Sequence, residues 1–161
     1  MTPVSLDHVL DSSLFAGLSS DERESLADLF EVRQVAVGKT VFIENMTGEN
    51  LYLINKGSVT ISQMLGEIDE QSLVVLRSGE TFGELALVDD ELRAVTARVV
   101  DDAELYLLSR ARFEELAAAS PALGMKLMRN VLRTFSKRLR QAKSDYRDML
   151  LATLESKKTT H

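Results

Sequence analysis

Two side chains in FGELALVDDELRAVTAR, Phe82 to Arg98, could recognise an anion-bearing ligand: the carboxylate of Glu84, set among apolar neighbours, and the guanidinium of Arg93. A phosphate is held by converging backbone N–H groups, a positive charge and room for close backbone approach. Gly83 lets the chain turn and come close, a short helical turn from Glu84 to Leu87 would aim its first amides at an anion, and Ala86 leaves space. Arg93, brought back by the loop Val88 to Leu92, supplies the charge and a planar fork for two phosphate oxygens. Glu84 repels a phosphate but suits a neutral hydroxyl pair such as that of a ribose. A plain ion pair between Glu84 and Arg93 is the competing reading of the same spacing. The acidic run Asp89, Asp90 and Glu91 lies between them and places negative charge close to the anion site.

These residues need a scaffold, and the chain around them changes period twice. Residues 3 to 30 read as helical, most clearly at Ser19-Ser20-Asp21-Glu22, where Ser19 and Glu22 can form a capping box. From Glu31 to Leu108 follow short runs rich in Val, Ile, Leu, Tyr and Phe: EVRQVAV, TVFIE, NLYLIN, SVTISQM, LVVL, AVTARVV and ELYLL. Gly38, Gly48, Gly57, Gly66 and Gly79 fall between them. Short strands with turn signals at that spacing predict an antiparallel sandwich or barrel of the jelly-roll kind. GEIDEQ (66–71) reads as a polar hairpin tip, and Asn45 suits a left-handed position.

After Leu108 the pattern is helical. SRARFEELAAA makes a short helix, then Ser120-Pro121 offers an N-cap with proline at the first helical position. Met125, Met128, Leu132, Phe135, Leu139, Ala142, Tyr146 and Met149 then recur at spacings of 3 and 4, a heptad seam that predicts a parallel homodimer. The same helix can pack back on its own body through Leu123, Leu127, Val131 and Leu150, and both can hold at once. The chain thus divides into residues 1–120, a β domain with N-terminal helices, and 121–161, a long C-terminal helix and tail.

The stretch from Phe82 resembles the phosphate-binding cassette of the cyclic nucleotide-binding domain family: Phe82, Gly83, Glu84, Leu85, Ala86 and Leu87 match its opening one for one, and Arg93-Ala94 follows at the usual distance. Leu92 stands where the family often has proline. The likeness runs over about residues 14 to 140, with NLYLINKGSVTIS similar to the family's core hairpin and LYLLSRARFEEL to its last strand and following helix. It implies an eight-stranded antiparallel jelly-roll barrel, mainly β with flanking helices. It further implies that Glu84 accepts from the ribose 2'-hydroxyl, that Arg93 pairs with the cyclic phosphate, and that amides near Gly83, Leu85, Ala86 and Ala94 complete the cradle. Ile61, Leu73 and Val74 correspond to positions lining the base and ribose pocket, with Val95 beside them. Ala94 follows the arginine where cGMP-selective members tend to carry threonine, which leans toward cAMP as the ligand, with cGMP possible. In the family the C-terminal helix often closes over the base; Arg133, Lys137, Arg138, Arg140 and Lys143 are candidates to meet a purine, or form its solvated face.

The totals narrow the remaining classes. Residues 1 to 125 carry 9 Lys/Arg against 22 Asp/Glu, a net of −13, while residues 126 to 161 carry 10 against 3, a net of +7. An acidic body with a basic helix suits nucleic acid, acidic lipid or self-association. Only LATLESKKTTH follows Leu150, which is short for a helix-turn-helix, so specific DNA binding is not expected. There is no cysteine, and His8 and His161 are the only histidines; this argues against Cys-ligated metal and His-base chemistry. Asp89 and Asp90 are adjacent on a link with no nucleophile beside them, so an enzyme is not expected. The N-terminus lacks a signal-peptide pattern and no run spans a bilayer, which predicts a cytoplasmic protein. The reading is a stand-alone cyclic nucleotide sensor that signals to a partner or within a homodimer. Its alternative is a non-sensing assembly module with a degenerate pocket.

Overall fold

A computed structural model describes residues 4–159 of the 161-residue chain. Pro3, the first residue of the expected N-terminal helical region, and the last two residues of the C-terminal tail lie outside the described residues. The capping box forms as its residue types dictate: Ser19 N–H donates to Glu22 Oε2 (2.8 Å) and Glu22 N–H to Ser19 Oγ (3.2 Å), opening α1 (Ser20–Ala27). Elsewhere before residue 30 the expected helix is reduced to turns and one 3-10 turn, Ser13–Phe15. Gly17 at φ +74° interrupts the helical course there.

The β region holds six strands: β1 (Glu31–Val35), β2 (Thr40–Phe42), β3 (Asn50–Met64), β4 (Glu70–Arg77), β5 (Thr81–Phe82) and β6 (Thr96–Ser109). They form one antiparallel sheet in the order β1-β6-β3-β4, with β2 also on β6 and β5 also on β3. The expected closed barrel of eight strands is therefore not what the described residues form. Two pairs of the seven expected runs are continuous, NLYLIN and SVTISQM both in β3, AVTARVV and ELYLL both in β6, which leaves five; the short β5, which lies in none of those runs, makes six. Gly57 bends β3 without ending it. It sits at φ +84°, where a Cβ would lie 2.7 Å from the Asp101 carbonyl oxygen, and the β3–β6 register shifts on both sides of it. That is the behaviour of a bulge, which sharpens the twist of a long strand. The hairpin between β3 and β4 turns at Leu65–Asp69, closed by Leu65 N–H to the Asp69 carbonyl at 2.8 Å.

Alternation along β3 splits the core in two. Tyr52, Ile54, Val59 and Ile61 face an interior built with Phe42, Phe82, Val99 and Leu105. Leu51 and Leu53 face the other way, against Leu26, Phe30, Leu108 and the helices that follow the sheet. Those helices are α2 (Arg110–Ala119), capped by Ser109 Oγ, and α3 (Pro121–Thr159), which starts at the expected proline. Leu123, Leu127 and Val131 of α3 bury in the second core as expected, and Gly124 lies so close to Ala117 of α2 that a Cβ would come within 2.8 Å of that methyl. Leu150 does not pack back: it is exposed, as is every side chain from Gln141 to Lys157. No described helix is long and apolar enough to cross a membrane.

Candidate functional site

The cassette follows β5 directly. Gly83 adopts φ +71°, a left-handed conformation that reverses the chain into the 3-10 turn Glu84–Leu87. A side chain at Gly83 would also crowd Arg93 Nη1 (2.8 Å) and the Asn50 carbonyl (3.0 Å), so only glycine fits. The Ala86 amide closes this turn on the Gly83 carbonyl at 3.2 Å. Of the amides expected at the anion cradle, that one is already engaged inside the cassette.

Arg93 is returned to the turn by pairing with the segment after β2. Its N–H donates to Met46 O and its carbonyl accepts from Asn45 N–H, both at 2.8 Å, while Asn45 takes the left-handed φ of 66° that its residue type permits. The side chain is 7% exposed. Nη1 donates to Gly83 O (3.2 Å) and Nη2 to Asn50 O (3.1 Å), the Phe42 ring lies 4.1 Å from Cζ, and Nε is buried with no hydrogen-bond partner. Burial pushes the guanidinium pKa down, with Tyr52 and Glu84 acting against it. A cation sequestered among neutral carbonyls and an aromatic face, with one donor unmet, favours any anion that can reach it.

Glu84 is not that anion. The competing reading, a Glu84–Arg93 ion pair, is corrected: Glu84 Oε1 pairs with Arg138 Nη1 of α3 at 2.5 Å, and Arg138 Nη2 donates to the Thr81 carbonyl. Among the described residues Glu84 Oε2 has no hydrogen-bond partner. Carboxylate and buried cation therefore stand as separate functions on one wall.

That wall encloses a cavity of about 360 Å³, within the range of small-ligand sites. Its polar end is Gly83–Ala86 with Arg93, Ala94 and Val95; its apolar end is Ile61, Val74 and Leu76, with Phe135 and Arg138 entering from α3. The structure thus brings together Gly83, Glu84, Leu85, Ala86, Arg93, Ala94, Val95, Ile61 and Val74. Leu73 stays outside: β4 pairs Val74 with Ile61 and Ser72 with Ser62, so Leu73 is the unpaired residue of a bulge and its side chain is exposed. Leu76, buried and two residues along from Val74 on the same face, serves in its place. Gly48, Phe42 and Phe135 were not expected here. A Cβ at Gly48 would overlap Nε, Cζ and Nη2 of Arg93. Nothing in the sequence near Gly48 signals that role, since it reads as one turn glycine among five.

Comparison with known proteins agrees with the arrangement. Residues 32–120, more than half of the chain, match the family model of the cyclic nucleotide-binding domain. The chain is 32% identical over 131 residues to the cyclic AMP receptor protein of Thermus thermophilus, an alignment covering 81% of this chain and 59% of that receptor. It is also 32% identical to the cGMP-dependent protein kinase egl-4 of Caenorhabditis briggsae, over 65% of this chain and 14% of the kinase. Among solved structures it superposes on the Thermus thermophilus catabolite activator protein with a TM-score of 0.75 at 33% identity, covering 86% of this chain and 63% of that one. The chain spans little more than half the length of the receptor, and far less of the kinase. It belongs to the cyclic nucleotide-binding domain family, whose domains are regulatory.

Proposed function

We propose that the chain is a sensor module for a cyclic nucleotide, cAMP in preference to cGMP, acting through rearrangement of α3 on a partner or within a homodimer. The observation that carries this is Arg93: a desolvated guanidinium with an unmet Nε, in the wall of a cavity that also holds the Glu84 carboxylate, one oxygen of which is left over from its pair with Arg138. A cyclic phosphate on Arg93 and a ribose hydroxyl on Glu84 use both groups without placing like charges together. Ala94 supports the preference for cAMP, since it offers no hydroxyl beside the arginine, and the receptor relative is named for cyclic AMP. Phe135 and Arg138 give ligand a route to α3, because both line the cavity from that helix.

Calorimetric titration with cAMP and cGMP on the wild type, Arg93→Ala and Glu84→Ala tests this. A charge-assisted hydrogen bond is worth about 1.5–3 kcal/mol, so each substitution should weaken cAMP binding by about 10- to 150-fold. Absence of wild-type binding at millimolar ligand would sink the sensor reading. It would favour an assembly module with a vestigial pocket, for which the exposed apolar seam of α3 is the supporting observation.

A further inference from the structure

The acidic link after the cassette reads in the sequence as a repulsive fence beside an anion site. Its partner lies twenty residues away. Arg110, the first residue of α2, reaches back across the end of β6: its Nε donates to the Ala86 carbonyl (2.6 Å), its Nη2 to the Asp89 carbonyl (2.5 Å), and its Nη1 pairs with the Asp90 carboxylate. The Arg110 backbone N–H is fixed to the Glu49 carbonyl at 2.8 Å, and its side chain is 18% exposed. Three donors of one rigid fork thus meet three acceptors of one short segment, a geometry that lysine cannot reproduce.

We infer that Arg110 is a positioning residue of the anion cradle, a latch that turns the acidic link into an anchor for the cassette. Ala86 is the third residue of the 3-10 turn, and Asp89 and Asp90 open the link that delivers Arg93. Arg93 is itself held at the far end by Met46 and Asn45. With Arg110 in place the path from Ala86 to Arg93 is fastened at both ends, which fixes where the guanidinium emerges. The two carbonyl contacts carry most of this, because Asp90 is 91% exposed and its ion pair is screened. Asp90 then contributes a side-chain contact to the latch, whereas Glu91 meets the link through its backbone N–H, which donates to Asp89 Oδ1 at 3.2 Å. Since α2 packs against α3 at Ala117 and Gly124, the latch also ties the cassette to the helical unit from which Arg138 grips Glu84.

The inference rests on the cyclic nucleotide reading for its effect on affinity, and the test separates the two. In ligand-free protein, Arg110→Met keeps the aliphatic stem and removes all three donors. It should raise amide hydrogen exchange over residues 86–93 by about tenfold, with Arg110→Lys intermediate and the β3–β6 core unchanged. In cAMP titrations Arg110→Met should bind about tenfold more weakly. Asp90→Asn should bind about twofold more weakly, whereas Glu91→Gln should bind as the wild type or tighter. Unchanged exchange over 86–93 in Arg110→Met, or tighter binding by Asp90→Asn, overturns the latch. If the wild type binds no cyclic nucleotide, the ligand reading fails while the exchange measurement still decides the latch.

Discussion

Arg138, in the middle of α3, closes on Glu84 of the cassette at 2.5 Å, and through the Thr81 carbonyl it grips both sides of β5 at once. The carboxylate side chain is 8% exposed and the guanidinium 33%. Removing either partner leaves the other without its charge complement, and the buried carboxylate suffers most. Arg138→Met should therefore lower the stability of the ligand-free protein by about 1–2 kcal/mol, toward the lower end of such losses because the arginine is partly solvated. Glu84→Gln should do the same, and the double variant should cost no more than either single one. Urea denaturation of the four proteins checks this; strict additivity of the two losses would show that the pair is not coupled.

Gly48 and Arg93 are equally close, and here the consequence falls on ligand rather than on fold. The atoms that a Cβ at Gly48 would strike are the far end of a flexible side chain, so the arginine moves and the backbone stays. Gly48→Ala should thus keep its melting temperature within a few degrees while cAMP affinity falls by about tenfold or more, as for a lost charged hydrogen bond. Calorimetry beside a thermal scan distinguishes the cases. Wild-type affinity in Gly48→Ala would mean that the cradle tolerates a displaced guanidinium.

The difference between Gly83 and Gly48 shows what the sequence could disclose. Gly83 sits inside a contiguous motif whose members act together over a few residues, so its turn, the neighbouring 3-10 helix and the presence of Glu84 and Arg93 were all legible. The capping box at Ser19, the left-handed Asn45 and the start of α3 at Pro121 were legible for the same reason, because each is decided by neighbours in the chain. Gly48 meets Arg93, Arg138 meets Glu84, and Arg110 meets Asp90 only once the sheet has formed, and no local pattern encodes such distances. Strand merging belongs to the same class: Gly57 as a turn and Gly57 as a bulge have one sequence, and the partner strand decides between them. Leu73 was misplaced by the bulge beside it, which shifts the alternation that a sequence pattern assumes to be unbroken.

Acid should loosen the sheet at Glu104. This carboxylate on β6 accepts from Asn55 Nδ2 of β3 and from Gln34 Nε2 of β1 (2.5 Å), bridging three strands. The bond from Asn55, ahead of that from Gln34, holds its carboxyl below the ordinary value of 4.5. A group depressed in the folded state contributes stability that is present above the unfolded value and lost as pH falls through the lower folded one. Stability of the wild type should accordingly drop on acidification below about pH 4.5. Glu104→Gln should be less stable at neutral pH yet lose less on the same acidification. Urea midpoints at pH 7 and on the acid side measure both slopes; parallel slopes would remove Glu104 from the pH response.

The distal half of α3 offers the prediction about assembly. Leu132, Leu139, Tyr146 and Met149 are each more than half exposed on a helix whose side chains from Gln141 to Lys157 are all exposed. An isolated helix of that length with an apolar seam is marginal in water, and pairing through the 3-and-4 spacing covers the seam. Met128 already packs partly against the core, so pairing would begin beyond the first turns. Leu132→Asp and Leu139→Asp should each reduce the mass in sedimentation equilibrium to that of a monomer, and an unchanged mass would refute the seam. Phe135 belongs both to this seam and to the cavity wall. If ligand and partner copy compete for or share that ring, cAMP must change the dimer dissociation constant, and dimerisation must change cAMP affinity by the same factor. Titrating cAMP well above and well below the dimer dissociation constant measures that factor, and a factor of one would show that Phe135 serves its two surfaces independently.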